Sequence, residues 1–301
     1  MADKWERGNA YEQYAGRWSR QVAPAFLARL RIPVRRNWLD VGCGTGALCA
    51  AIIDNCEPSS VVGIEPPQGL LRTAFENLAG RADLRRGSAT DIPLDDKAVE
   101  VVVSGLVLNF VADVPGALAE MARVTVAGGT IAAHVWDYGG KMELMRYFWD
   151  AAVDLDPRDA PMCEGLLFPI CNLQALEVQF ASAGLVGPEV TAIDIRARFA
   201  SFDDYWQPFL GGQGPAPAYA MSLDEDARLR LKRHIRSRMP MSEDGALVGH
   251  IESDPMVEVG AAWQVHFAEQ LCQRVDRSQG INQQRLLPVR QKLGVDALVF
   301  F

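Results

Sequence analysis

The segment from Val99 to Leu106 reads Val-Glu-Val-Val-Val-Ser-Gly-Leu, an almost unbroken β-branched run. A strand that is apolar on both faces must be covered on both, which is the situation of a parallel sheet flanked by helices. Shorter runs of the same kind precede and follow it: Trp38 to Val41, Val61 to Ile64 and Thr130 to Trp136, with a weaker signal over Asp83 to Arg86. Helical stretches separate them. Ala47 to Ile53 reads as a buried helix, and Leu70, Leu71 and Phe75 form the face of another. Asp113 is placed to cap a third, with Pro115 in its first turn and Leu118, Met121 and Val124 on one side. Strands alternating with helices predict a doubly wound α/β fold.

A helical leader precedes the first strand, with Tyr11, Tyr14, Trp18, Phe26, Leu27 and Leu30 on its apolar face. Beyond Trp136 the pattern changes. A helix is expected over Met142 to Val153, another over Leu173 to Ala183, a late strand over Glu189 to Arg198 and a loop over Gly211 to Pro217. Ser222 and Glu225 have capping-box spacing ahead of a helix carrying Ala227, Leu231 and Ile235. Its basic stretch, Arg228 to Arg238, reads as a solvated face. A last helix is expected from Asp254, since Val259, Trp263, Phe267 and Leu271 recur every four residues. The final Ala-Leu-Val-Phe-Phe is too apolar for water and has to dock, either on the same chain, which favours a monomer, or on a second subunit. The expected organisation is one domain over 1–250 (leader 1–36, ligand-binding half 37–140, substrate side and lid 141–250) and an extension over 251–301.

Composition excludes several classes. With 30 basic against 38 acidic residues the net charge is -8, which disfavours nucleic acid as a partner. The six cysteines form no C-x-x-C pair, so no metal centre is expected. No apolar run is long enough to span a bilayer, and the N-terminus lacks a secretory h-region. A cytoplasmic location is expected.

The chemistry concentrates at Leu39-Asp40-Val41-Gly42-Cys43-Gly44-Thr45-Gly46, where the first strand ends. Glycines at alternate positions permit a tight turn and close backbone approach to a ligand, before a helix N-terminus. The same loop satisfies the dinucleotide pattern, so a nicotinamide-dependent oxidoreductase is an alternative. Asp40 argues against it, because a carboxylate repels pyrophosphate and suits a cation. Glu65 and Asp91 stand at the ends of the next two strands, where parallel strands open into one crevice. Glu65 is placed for ribose hydroxyls and Asp91 for the exocyclic amine of a base.

These segments, together with Gly63-Ile64-Glu65-Pro66, Gly87 to Pro93, Val103 to Phe110 and the leader Tyr11 to Ser19, resemble the class I S-adenosylmethionine-dependent methyltransferases, in particular the type 11 group. The resemblance implies a Rossmann-like sheet with helical lid insertions and a C-terminal helical extension, and S-adenosylmethionine as cofactor. It implies that Asp40, Gly42, Cys43, Gly44 and Gly46 hold the methionine part and Glu65 the ribose. Pro66 and Leu70 would border the adenine, and Ala89, Thr90 and Asp91 its edge. Ser104 and Leu106 would stand beside the methionine tail, with Tyr14, Arg17 and Trp18 folding over the cofactor. The implied activity is in-line methyl transfer to a small molecule through its O, N, S or C atom; a non-catalytic cofactor-binding module is a further alternative. After the fifth strand, Trp136, Asp137, Tyr138, Phe148, Trp149, Tyr205, Trp206 and Phe209 are expected to roof the acceptor, with Asp137 as a candidate base. His134 is expected to face sheet packing.

Overall fold

Val99–Gly105 forms a central strand, and its side chains alternate between two cores: Val101 and Val103 on one face of the sheet, Val102 on the other. The computed structural model describes residues 17–138, 140, 142–185, 190–197, 199–211, 214–240, 262–268 and 296–299, the last two segments as backbone. Helix α1 (Arg17–Leu30) leads into β1 (Asn37–Val41), α2 (Ala47–Asn55), β2 (Ser60–Glu65), α3 (Gln68–Leu78), β3 (Asp83–Arg86), β4 (Val99–Gly105), α4 (Val114–Val124) and β5 (Thr125–Trp136). These five strands are parallel in the order β3-β2-β1-β4-β5. Asp113 caps α4 through a 2.9 Å bond from the Gly116 N–H, with Pro115 in the first turn as the sequence predicts.

A helical layer follows: α5 (Glu143–Leu155), α6 (Glu164–Leu167), α7 (Leu173–Ser182), then strand β6 (Val190–Arg196), α8 (Phe202–Trp206), α9 (Pro215–Ser222) and α10 (Glu225–Arg238). Two local expectations change. The loop over Gly211 to Pro217 ends at Gly214, whose φ of 90° turns the chain into α9, with proline in the first helical turn. The cap of α10 is Asp224, which accepts the Ala227 N–H at 2.7 Å, while the Ser222 hydroxyl donates back to the Tyr219 carbonyl.

The larger correction lies in the tail. Ala262–Ala268 is a strand, β7, antiparallel to both β5 and β6 and inserted between them. Trp263, Val265 and Phe267 alternate with Gln264 and His266, a period of two that also fits the fourfold spacing taken for a helix. Two waiting edges with unpaired backbone groups decide between the readings. A final strand, β8 (Asp296–Val299), pairs in parallel with β5. The described part of the C-terminal extension is therefore sheet, on the same chain. The rest of the expected helix from Asp254 lies outside the described residues. Among the described residues no helix is long and apolar enough to cross a membrane.

Glu164 ties the helical layer together. It is buried, its two oxygens accept the Trp149 indole N–H and the Ala216 backbone N–H, and burial pushes its pKa up to about 8. Glu164→Ala leaves both donors buried without an acceptor, each at about 1–3 kcal/mol. The variant is expected to lose stability on that scale in urea denaturation, with Glu164→Gln intermediate because its amide oxygen still serves one donor. A Glu164→Ala midpoint equal to the parent's excludes this clamp.

Candidate active site

The site is built where β1 stops. Its last turn is fastened to β2 by the Gly42 and Cys43 N–H groups, both 2.9 Å from the Ile64 carbonyl. Ser104 is wholly buried and donates to the Val41 carbonyl at 3.0 Å, tying the end of β4 to β1. The glycines do different jobs. Gly42 has φ of 77°, and a Cβ there would stand 2.5 Å from the Val107 side chain, so packing demands glycine. Gly44 has φ of 54°, and a Cβ there would meet no protein atom within 4 Å, so it would enter open cavity.

That cavity has a volume of about 380 Å³. Asp40 lies at its floor, fully buried. One of its oxygens accepts the Cys49 thiol at 3.2 Å and the other, Oδ1, has no hydrogen-bond partner. Glu65 stands beside it and accepts the Gly44 N–H at 2.9 Å. Burial raises Asp40 to about 7, and the nearby Glu65 charge adds to the effect. Burial likewise raises Glu65 to about 7, partly offset by the Gly44 N–H. No lysine or arginine is found among the described residues of the wall. Two buried carboxylates without a cation make a site for a positively charged ligand.

Of the residues singled out in the sequence, Asp40, Gly42, Cys43, Gly44, Glu65, Pro66, Leu70, Ala89, Thr90 and Leu106 line this cavity. Gly46 and Ser104 stand behind the wall, Gly46 packed under Leu78 and Ala74. Asp91 is exposed and off the wall, its backbone paired with Ser88 across a tight turn. Trp18 is buried against Phe199, ring centroids 5.6 Å apart, rather than against the cavity. Tyr14 and the side chain of Arg17 lie outside the described residues.

Most of the expected acceptor roof takes a different place, Tyr138 being half-buried after β5. Trp136, Trp149, Tyr205 and Trp206 are all buried in the core, and none lines the cavity. Tyr205 donates to the Leu144 carbonyl at 2.9 Å, and Trp149 is held by Glu164. Asp137 accepts the Gly140 N–H at 2.7 Å and so shapes the turn after β5, away from the wall. Large aromatics in a helical layer bury their area first, and a pattern of aromatic residues does not say which side they face.

Sequence reasoning missed several wall residues. Ser19 and Ala23 of α1 line the cavity, one helical turn apart. Their signal is small residues at i, i+4 on an otherwise bulky face. His134, expected in sheet packing, also lines it. It pairs in register with Gly105, its ring lies 4.7 Å from that of Phe26, and burial pushes its pKa down to about 3, leaving a neutral imidazole. Gly105 makes that possible, since a Cβ there would stand 2.7 Å from the imidazole Nε2.

Residues 39–133 match the family described as methyltransferase domain. Over 95 residues the chain is 33% identical to the demethylmenaquinone methyltransferase of Roseiflexus castenholzii, covering 31% of this chain and 40% of that one. Over 144 residues it is 34% identical to the malonyl-acyl-carrier-protein O-methyltransferase of Serratia marcescens, covering 48% of this chain and 55% of that one. The chain thus spans about half the length of these curated relatives. Among solved structures, a protein named as a methyltransferase from an antibiotic biosynthesis pathway of Anabaena variabilis superposes with a TM-score of 0.55 at 17% identity, covering 83% of this chain and 97% of that one. The YcgJ protein of Bacillus subtilis gives 0.50 at 13% identity, with 84% and 97% covered. At such identity the likeness is one of fold.

The two glycines separate fold from ligand. Gly42→Ala is expected to lower the melting temperature, because the added methyl meets Val107. Gly44→Ala is expected to lower it less, through the roughly 1–2 kcal/mol that a left-handed φ costs alanine, while losing most affinity for S-adenosylhomocysteine. Titration calorimetry beside thermal melts reads both. A Gly44→Ala variant that binds like the parent excludes the loop as the cradle.

Proposed function

We propose that this chain, whose residues 39–133 form a class I methyltransferase domain, transfers the methyl group of S-adenosylmethionine to a small-molecule acceptor. The observation that carries this reading is the free oxygen of Asp40, fully buried and beside Glu65 in a cavity whose described wall holds no cation. A dinucleotide would bring a pyrophosphate against Asp40, which the same observation opposes, whereas Glu65 suits the ribose of either ligand. The relatives point the same way: one acts on demethylmenaquinone, the other on a malonyl group carried by acyl carrier protein.

The residues fit the cofactor. Asp40 would accept from the ammonium of the methionine part and Glu65 from the ribose hydroxyls. The open side of Gly44 leaves room for a ligand lying on the backbone. When bound, the cofactor supplies a methyl group already activated on a sulfonium, so the protein's task is proximity and orientation. His134 stays neutral and adds no charge that would oppose the sulfonium. In the same reading the chain acts in the cytoplasm, and the pairing of β8 with β5 of its own chain favours a monomer over a dimer.

Charge linkage makes the reading testable. Both carboxylates are raised to about 7, so burying their charged forms costs stability as pH climbs from the ordinary carboxylate range to about 7. A cationic ligand favours those charged forms. Affinity for S-adenosylmethionine is therefore expected to rise about tenfold between pH 6 and pH 8, with protons released on binding. Calorimetry in two buffers of different ionisation heat measures that release; a flat affinity with no protons released removes Asp40 and Glu65 from recognition. Glu65→Ala is expected to weaken S-adenosylhomocysteine by about 1–3 kcal/mol, while NAD binds neither form. Saturable NAD binding by the parent would overturn the proposal.

A further inference from the structure

Three aromatic rings outside the buried roof stand together at the edge of the cavity. Phe110, in the turn after β4, is part of the cavity wall and is also 37% exposed. Phe168, which follows α6, meets it edge-on, with centroids 5.2 Å apart and planes at 78°. Tyr138, in the turn after β5, lies 5.5 Å from Phe168 at 40°. Phe168 and Tyr138 are half-buried, so part of each remains accessible. Immediately before Phe168, α6 leaves Leu166 and Leu167 exposed at 67% and 45%.

Phe168 and Tyr138 pack against the hydrophobic core on their buried sides, and that packing leaves part of each ring accessible. The three rings come from three separate segments, two of which end neighbouring parallel strands. Ligands of an open α/β sheet are bound at such ends. The cavity itself, at about 380 Å³, is at the small end of ligand pockets. A cofactor of the proposed kind would take the part lined by Asp40, Gly44 and Glu65, which leaves the side of Phe110 for a second reactant. What the mouth offers there is ring edges and faces, joined directly to the cavity through Phe110.

Resting on the function proposed above, we infer that Phe110, Phe168 and Tyr138 form the acceptor seat and that the acceptor carries an aromatic ring. A planar ring stacked on this strip keeps its body outside and presents a ring substituent inward past Phe110. Aromatic pairs gain from offset and edge-on geometry beyond simple area burial, which favours a ring over an aliphatic body of similar size.

The test uses 2-naphthol as the aromatic probe and 1-octanol as the aliphatic control, each titrated against the full chain saturated with S-adenosylhomocysteine. Naphthol fluorescence or ligand-observed NMR reads binding. Saturable naphthol binding is expected, tighter than that of octanol, and Phe168→Ala is expected to weaken it about fivefold. Phe168→Tyr is expected to retain it, and Phe168→Leu, which keeps bulk without the ring, to lose it while preserving the thermal melt. S-adenosylhomocysteine affinity, read separately, reports on the cofactor cavity, whose wall does not include Phe168. Naphthol binding that is absent, matched by octanol or unmoved by Phe168→Leu overturns the inference. Should the parent fail to bind S-adenosylhomocysteine, the proposed function falls instead, and naphthol titration of the ligand-free chain still decides the aromatic seat.

Discussion

Five parallel strands with apolar side chains on both faces require cover on both, and most of the architecture follows from that requirement. Trp38 and Leu39, adjacent in β1, are both wholly buried on opposite sides of the sheet. Helices α1 and α2 cover one face and α4 and α7 the other, giving two separate hydrophobic cores. Each crossover brings the chain back in the same direction, so every strand ends at the same edge. The loops at that edge are the part of the core layers left open, and there a ligand can reach backbone and side chains from β1, β2 and β4 at once.

The cavity at that edge has an uncommon polarity for a buried place. Asp40 comes from β1 and Glu65 from β2, and the register Val41 to Ile64 sets the two strand ends level. The Gly44 N–H and the Cys49 thiol each satisfy one carboxylate oxygen, while Asp40 Oδ1 has no partner. Burial pushes both acids up to about 7, and a cation would favour their charged forms. The rigid sheet is what keeps this arrangement in place, because neither carboxylate has a flexible stem on a mobile loop. The proposed acceptor seat belongs to a different part of the molecule, the turns after β4 and β5 and the segment after α6, where the rings are partly exposed.

Much of this is legible in the sequence. The β-branched run of β4, the glycines of the β1 turn and the cap at Asp113 are local signals, each satisfied within a few residues of chain. Asp40 and Glu65 were legible because a parallel sheet turns strand-end spacing into spatial proximity. Asp91 has the same spacing, yet a tight turn with Ser88 lets its side chain point to solvent. The Trp263 to Phe267 pattern fitted helix and strand alike, and only the open edges of β5 and β6 chose strand. Trp149 and Tyr205 were aromatic and downstream of β5 as expected, but Glu164 and the Leu144 carbonyl took their polar ends inward.

The sequence by itself determined the alternation of buried strands and helices, the glycine turn and the identity of the acids at the strand ends, because each depends on short-range sterics and hydrophobic period. Tertiary structure decided which side chains share a cavity. It placed His134 in the wall through its register with Gly105, brought Ser19 and Ala23 over from α1, and set Phe110, Phe168 and Tyr138 side by side. Those contacts join residues far apart in the chain, and a side chain's direction at such distances is set by the packing of whole elements, for which no local pattern carries a signal.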